Sequence, residues 1–297
     1  MPSILVTGAT GSVGMHVVRE LRERGVTARA FVRDPIKARR LLGDDVPLDV
    51  GDFADGASLR RAMTGVTRVF LSSADGPEKV AHELAVIDAA EACNIRLLVK
   101  ASMLGASISS PLPPFAWHGA IEQQLRMARV PSVILRSNFY MTNLLVSAES
   151  VRLSGRLIAP AAEGLIAMID PRDVAAIAAR VLTEDGHEGR TYVLTGPEAL
   201  SHAQIARALS SATGTRIAFV DVPAQAAQQL MTEAKMPQWL VEHLNGLFDL
   251  VRQGALAEIT DSVAMPIEWK PRTFAQFARD HAALFRSASS PVSAHAS

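Results

Sequence analysis

Short apolar runs alternate with longer segments of helical periodicity through the first half of the chain. The short runs are rich in Val, Ile, Leu and Phe, which is typical of strands buried on both faces. Such alternation predicts stacked βαβ units, and therefore an α/β Rossmann fold: a doubly wound parallel sheet with helices on both faces. The predicted strands cover residues 3–7, 28–32, 47–50, 68–71, 96–100 and 132–135. The predicted helices cover residues 13–24, 35–42, 56–63, 77–93 and 117–128.

The regular alternation ends after residue 135, and helical patterns dominate the rest of the chain, beginning with residues 138–155. The last residues are rich in Ser, Ala and Pro, a composition that does not support a packed core. The pattern predicts a Rossmann domain over 1–138, to which some later elements return, a smaller and mostly helical substrate lobe over 139–285, and a disordered tail over 286–297.

Composition argues against several classes of function. The basic and the acidic residues both number 30, so the chain lacks the positive charge with which proteins bind nucleic acid. A single cysteine, Cys93, allows no disulfide framework, and the eight scattered histidines have no metal-ligand spacing. The chain shows no leader peptide and no membrane-spanning run, so we expect a cytoplasmic protein that binds neither metal nor membrane.

A glycine-rich loop follows the first predicted strand and leads into the first predicted helix, with the spacing Gly8-x-x-Gly11-x-x-Gly14. In a dinucleotide-binding loop the first glycine permits a tight turn, the second lets the backbone approach the pyrophosphate, and the third allows close packing of helix and strand. The alternative is a purely structural turn. The residues predicted to contact the cofactor here are Gly8, Ala9, Thr10, Gly11, Ser12 and Val13.

The end of the second predicted strand indicates which dinucleotide binds. An NAD enzyme places an acidic residue there for the ribose 2′-hydroxyl, but this strand ends in Arg33. A guanidinium can bind a 2′-phosphate through two hydrogen bonds, whereas a carboxylate would repel it. NADP(H) is therefore favoured, with Lys37 as a second candidate cation. In the alternative interpretation Arg33 is an ordinary surface residue and Asp34 accepts from the ribose.

Several motifs occur in an order that resembles the NmrA-like family of atypical short-chain dehydrogenases. They are the glycine loop, RDP at 33–35, GDF at 51–53, LRSNF at 135–139, DVA at 173–175 and GRTYVLTGPE at 189–198, and the resemblance covers about residues 1–285. Family members include NAD(P)H-dependent reductases of quinones, imines, azo dyes and triphenylmethane dyes, and also non-catalytic redox-sensing regulators.

The resemblance also implies cofactor contacts outside the glycine loop. It places Asp52 and Phe53 beside the adenine, Ser72 and Ser73 along the cofactor, and Asn138 and Phe139 beside the nicotinamide. Two of these residues have structural alternatives, because Asp52 could form a turn and Phe139 could be a core aromatic residue.

The catalytic Tyr-x-x-x-Lys pair of the wider class is absent. If Ser102 and Glu122 match class positions, Pro114 replaces the tyrosine and His118 replaces the lysine. We therefore expect His118 to donate a proton or to contact the cofactor ribose, with simple packing as the alternative. Glu122 follows four residues later and could hold the imidazole or raise its pKa. Ser102 could bind a substrate oxygen or cap the backbone.

The second lobe offers candidate substrate contacts in Tyr140, Met141 and Trp239. Aromatic rings and methionine suit flat conjugated ligands, but an apolar stripe at helical spacing is also typical of a core or a homodimer face. The sequence thus favours an NADPH-dependent reductase of a hydrophobic conjugated small molecule. The alternative is a non-catalytic NADP(H) sensor that binds a protein partner.

Overall fold

The structure is a computed structural model that describes residues 3–260 and 270–286. The chain divides into two compact units. The first comprises Met1–Asn138, Pro171–Thr195 and Thr260–Lys270, and the second comprises Phe139–Asp170, Gly196–Ile259 and Pro271–Ser297, each as far as it is described. Apart from Arg286, the predicted disordered tail lies outside the described residues.

A seven-stranded parallel sheet forms the centre of the first unit, in the order β3-β2-β1-β4-β5-β6-β9. Its strands are β1 (Ile4–Val6), β2 (Ala28–Val32), β3 (Leu48–Val50), β4 (Arg68–Leu71), β5 (Leu97–Met103), β6 (Ser132–Ser137) and β9 (Thr191–Leu194). The strand order reverses between β1 and β4, as in a doubly wound sheet, so the predicted fold class is confirmed.

Helices flank this sheet in two packed groups. They are α1 (Gly14–Glu23), α2 (Pro35–Leu42), α3 (Gly56–Met63), α4 (Lys79–Ala92), α5 (Pro113–Met127) and α7 (Pro171–Val181). Helices α3, α4 and α5 pack side by side, and α1 packs against α7. Leu59, Val86 and Ile121, one from each helix of the first group, form a core with Leu98 of β5. An ionisable side chain on that face of β5 therefore needs a partner to be tolerated.

Two element boundaries near the site differ from the prediction. Strand β5 does not end at residue 100 but continues to Met103, so Lys100 lies in its middle. Helix α5 begins at Pro113 instead of residue 117. Two prolines occupy its first turn, where the backbone N–H that proline lacks has no intrahelical partner in any case. The prediction therefore overlooked the two prolines that mark the start of this helix.

The second unit is mostly helical among the described residues. Its helices are α6 (Ala148–Ser154), α8 (His202–Thr213), α9 (Ala224–Glu233), α10 (Gln238–Arg252), α11 (Phe274–Asp280) and α12 (Ala282–Phe285). Its short strands form two pairs, with β7 (Arg156–Ala159) parallel to β11 (Ala218–Asp221) and β8 (Leu165–Ile166) antiparallel to β10 (Leu200–Ser201). The helix predicted over 138–155 is replaced by a 3-10 helix, Met141–Ser147, followed by α6. Of the helices that the structure describes, none combines the length and the apolar character that crossing a bilayer requires.

Candidate functional site

The glycine loop is held in shape by close backbone contacts at the carboxyl ends of β1 and β4. Gly8 has φ +60, and a Cβ on it would lie 2.6 Å from the carbonyl oxygen of Ser72. A Cβ on Gly14 would lie 2.2 Å from the carbonyl oxygen of Gly8. The Thr7 hydroxyl accepts the Ser72 amide at 3.0 Å and so ties β1 to the end of β4. Any side chain at Gly8 or Gly14 would force the loop apart.

The same loop meets the requirements of a pyrophosphate site. Helix α1 begins at Gly14, and the backbone amides of Ser12 and Val13 just before it form no backbone hydrogen bond within the described ranges. Gly11 and Ser12 are exposed. Free amides at the positive end of a helix attract phosphate groups, so the loop fits the diphosphate of a dinucleotide.

Arg33 and Asp34 follow β2 and have different surroundings. The Asp34 carboxylate accepts the Lys37 amide at 2.9 Å and thereby caps α2. Arg33 is exposed. Because one Asp34 oxygen already has a structural role, the contacts favour Arg33 as the residue that meets the cofactor ribose, which stays a prediction.

Asp52 and Phe53 lie just after β3 and have structural contacts of their own. Asp52 accepts the Ala54 amide at 2.9 Å, which is the turn-forming role that the sequence left open. The Phe53 ring is tilted against Phe31 and stacked on His82, with centroids 5.6 and 5.5 Å apart. An adenine contact for either residue stays a prediction.

Five ionisable side chains beside β5 form a closed ring of contacts, here called the charged ring: Asp75, Lys79, Glu83, Lys100 and His118. Lys100 Nζ lies 2.8 Å from Glu83 Oε2 and 3.2 Å from His118 Nδ1. Lys79 Nζ lies 3.1 Å from Glu83 Oε1 and 3.2 Å from Asp75 Oδ1. His118 Nε2 lies 3.7 Å from Asp75 Oδ1 and closes the ring.

Four segments of the first unit bring the charged ring together. Asp75 lies in the loop after β4, Lys79 and Glu83 are four residues apart on α4, Lys100 lies on β5 and His118 on α5. The side chains of Lys100 and Glu83 are 0% exposed, whereas that of Asp75 is 50% exposed. Solvent therefore meets the charged ring at Asp75.

Burial and mutual charge set the protonation states of the ring. Burial and the neighbouring Lys100 ammonium lower the pKa of His118 to about 4. Burial also lowers the pKa of Lys100 to about 8, although Glu83 opposes the shift. Burial alone would raise the pKa of Glu83, but Lys100 and Lys79 outweigh it and hold that pKa at about 2. With His118 neutral, two cations balance two carboxylates, so a neutral imidazole is the stable form at neutral pH.

Glu122 belongs to a separate cluster, so its predicted pairing with His118 is wrong. Its carboxylate accepts from Ser102 Oγ at 2.7 Å and from Arg136 Nε at 2.9 Å, and Arg126 lies 2.9 Å away. Within the described chain, no hydrogen bond or ion pair joins it to His118. Helical spacing places Glu122 and His118 on one face, but Arg136 on the adjacent strand holds the carboxylate. The pKa of His118 is accordingly lowered, not raised.

The glycine loop and the sheet order together point to a dinucleotide-binding family. The family model described as the NmrA-like family matches residues 2–278. The chain belongs to the NmrA-like family. Three named proteins are similar to this chain.

The NAD(P)H azoreductase of Xenophilus azovorans is 38% identical over 96% of this NmrA-like chain and 100% of its own length. An Escherichia coli NADPH-dependent quinone oxidoreductase, solved with NADPH, has a TM-score of 0.83 at 29% identity, covering 93% of this chain and 99% of that one. A Citrobacter triphenylmethane reductase, solved with NADP(H), has a TM-score of 0.80 at 25% identity, covering 94% and 99%. All three are similar over nearly their full length.

Two further predicted cofactor residues of the first unit, Ser73 and Asn138, form hydrogen bonds within the protein. Ser73 Oγ donates to Glu83 Oε1 at 2.8 Å, and the Ser73 carbonyl accepts from Lys79 Nζ at 3.1 Å. Asn138 is buried, and its amide donates to the Leu194 carbonyl at 2.9 Å. Ser73 thus contacts the charged ring, and its neighbour Ser72 contacts the glycine loop, while the cofactor contacts of Ser73 and Asn138 stay predictions.

The other predicted ligand contacts belong to the second unit. Phe139 and Tyr140 are half-buried, and Trp239 is half-buried on α10. Met141 is 1% exposed, and its amide donates to the Ile169 carbonyl at 2.9 Å. These positions do not test a contact with nicotinamide or substrate, so the four roles stay predictions.

Of the five residues in the charged ring, the sequence predicted only His118. The four that it missed are Asp75, Lys79, Glu83 and Lys100. Lys100 interrupts the apolar run LLVKAS, and this interruption was a usable signal. A lysine inside a strand buried on both faces is tolerated only with partners. Glu83 and Lys79 gave no comparable signal, because charged residues four apart are ordinary on a helix surface. A metal-binding group of His, Cys, Asp or Glu is not found among the described residues.

Proposed function

We propose that this NmrA-like protein is an NADPH-dependent reductase that transfers a hydride to a hydrophobic conjugated small molecule, such as a quinone or an azo dye. The observation that carries the proposal is the continuity of the glycine loop with the charged ring. Gly8 approaches the Ser72 carbonyl, and the next residue, Ser73, donates to Glu83 of the ring. A backbone suited to phosphate therefore adjoins a buried group of proton donors and acceptors.

The named relatives support the acceptor class. Azo compounds, quinones and triphenylmethane dyes are the substrates in their names. All are conjugated electrophiles, which accept a hydride with little polarisation by the protein. This property suits a site that lacks the tyrosine and lysine pair of the wider class.

The chain's own residues divide the work of the reaction. Bound NADPH would supply the hydride. The amides of Ser12 and Val13 would hold the pyrophosphate, and the Arg33 guanidinium would bind the 2′-phosphate. His118 is neutral, so its part would be to give a proton from an imidazole N–H to an acceptor that requires one. Quinones and azo groups require a proton with each hydride.

The direct test is oxidation of NADPH by the purified protein with a quinone and with an azo dye. We expect turnover that depends on both the protein and the acceptor, and lower kcat/KM with NADH. Binding of NADPH without oxidation by either acceptor would overturn the proposal and favour the non-catalytic sensor. The homodimer and the cytoplasmic location stay predictions, the first of which sedimentation of the purified protein can test.

A further inference from the structure

The hydrogen bonds of Lys100 fix the tautomer of His118. An ammonium group has three donors and no acceptor. Lys100 Nζ forms an ion pair with Glu83 Oε2 at 2.8 Å and hydrogen bonds with His118 Nδ1 at 3.2 Å and with the carbonyl oxygen of Ala101. Nδ1 must therefore accept, and the single proton of the neutral imidazole must be on Nε2.

Ser102 cannot take the place of Lys100 in this arrangement. Its Oγ lies 3.4 Å from His118 Nδ1, but the hydroxyl has one proton and donates it to Glu122 Oε1 at 2.7 Å. Lys100 is thus the donor to Nδ1, and Ser102 belongs to the Glu122 cluster.

The two imidazole nitrogens face different surroundings. Nδ1 faces Lys100, which is 0% exposed, whereas Nε2 faces the half-exposed Asp75. The distance of 3.7 Å from Nε2 to Asp75 Oδ1 is longer than a hydrogen bond, so the N–H group on Nε2 is not committed to that carboxylate. Nε2 is therefore the nitrogen from which a proton can leave.

We propose that Lys100 is a positioning residue that replaces the proton His118 gives to the acceptor. This inference rests on the proposed reductase function. As the acceptor takes a hydride from NADPH, the Nε2–H bond breaks and its proton goes to the acceptor atom. At the same time one N–H bond of Lys100 breaks and its proton forms a bond to Nδ1. Lys100 becomes a neutral amine, and the imidazole stays neutral in its other tautomer.

The charged ring resets by the reverse path. Nε2 takes a proton from a water molecule on the side of Asp75, the resulting hydroxide is released to solvent, and Nδ1 returns its proton to the Lys100 amine. The charged groups that face Lys100 and His118 are Glu83 and Lys79 from α4 and Asp75 from the loop after β4. Since the pKa of Lys100 is about 8, turnover of a proton-requiring acceptor should fall as the pH rises above that value.

The first experiment needs no cofactor and no turnover. Nuclear magnetic resonance of the His118 ring nitrogens should show the Nε2–H tautomer in the unmodified protein. In a Lys100→Met, Glu83→Gln double variant, which leaves no unpaired buried carboxylate, the preference for Nε2–H should weaken and the pKa of His118 should rise. Arg126→Met removes a cation that contacts Glu122 instead, and it should retain the Nε2–H form. An Nδ1–H tautomer in the unmodified protein would overturn the proposal.

The second experiment compares two acceptors with the same variants. A quinone needs a hydride and a proton, whereas a triphenylmethane cation needs only a hydride. The double variant should lower the ratio of quinone to dye turnover at least tenfold and remove the loss of quinone turnover above pH 8. An unchanged ratio means that Lys100 acts only through the fold, which overturns the inference. If the unmodified protein reduces neither acceptor, the reductase function itself fails, and the tautomer measurement still tests the Lys100 contact.

Discussion

The glycine loop and the charged ring are adjacent but depend on opposite features of the chain. The loop works because side chains are absent: Gly14 leaves room for the Gly8 carbonyl, and backbone amides remain available for phosphate. The ring works because side chains from four segments meet and satisfy one another's charges. A Cβ is therefore the most damaging change to the loop, and an unpaired charge is the most damaging change to the ring.

A second difference separates the ring from its neighbour, the Glu122 cluster. Arg126 and Arg136 surround Glu122, and the hydrogen bond that Arg136 donates to that carboxylate raises the pKa of Arg136. Arginine does not lose its proton in proteins, so this cluster is a fixed support. Burial lowers the pKa of Lys100 in the ring to about 8, so that side chain can lose a proton near physiological pH. Helix α5 thus carries both the static Glu122–Arg126 ion pair and His118 of the charged ring.

The largest effect should come from filling the loop. In Gly14→Ala the new Cβ would lie 2.2 Å from the Gly8 carbonyl oxygen, so the loop cannot keep its shape. We expect NADPH affinity to fall at least about a hundredfold, or roughly 3 kcal/mol. Calorimetric titration measures this loss. Gly56→Ala is the matched control, because its Cβ would meet only the mobile end of Arg60 at 3.4 Å. Affinities within threefold of each other would contradict the proposed role of the loop.

The next effect tests the buried neutral state of His118. In the unfolded chain a histidine takes up a proton below its ordinary pKa of 6.5, whereas folded His118 does so only near 4. Between these two pH values the unfolded state binds more protons than the folded state. The contribution of His118 to the free energy of unfolding is therefore fully present above pH 6.5 and is lost as the pH falls toward 4. The loss should approach about 3 kcal/mol.

Urea unfolding of the unmodified protein and of His118→Asn between these two pH values measures how much of the acid-induced loss in the free energy of unfolding comes from His118. The variant should lose less stability with acid than the unmodified protein does. His202 in the second unit is the matched control, because burial lowers its pKa to about 4 as well. His202→Asn should remove a separate share, and the two effects should add. If His118→Asn keeps the full loss of stability, His118 is not buried in its neutral form.

The two sites also differ in how far the sequence predicts them. The glycine spacing is local, and both Gly8 and Gly14 act on atoms within the loop or at the next strand of the sheet. The strand pattern predicted the doubly wound sheet for the same reason, since each βαβ unit is read from neighbouring residues. The charged ring needs α4, β5 and α5 to be placed against one another, which no spacing specifies. The error over Glu122 has this origin, because helical spacing does not reveal Arg136 on the next strand.

The smallest expected effect concerns Arg33. At this position the charge of a side chain, and not the shape of the backbone, is expected to determine which dinucleotide binds. Arg33→Glu should lower the preference for NADPH over NADH at least about tenfold, or roughly 1.4 kcal/mol, because a carboxylate repels the 2′-phosphate. Binding titrations with both cofactors measure the ratio. Arg96→Glu is the matched control, since Arg96 is also exposed but lies at the amino end of β5, whereas Arg33 follows the carboxyl end of β2. Should the Arg33 variant keep its preference for NADPH, the 2′-phosphate must be recognised by another residue, and Lys37 would be the next to replace.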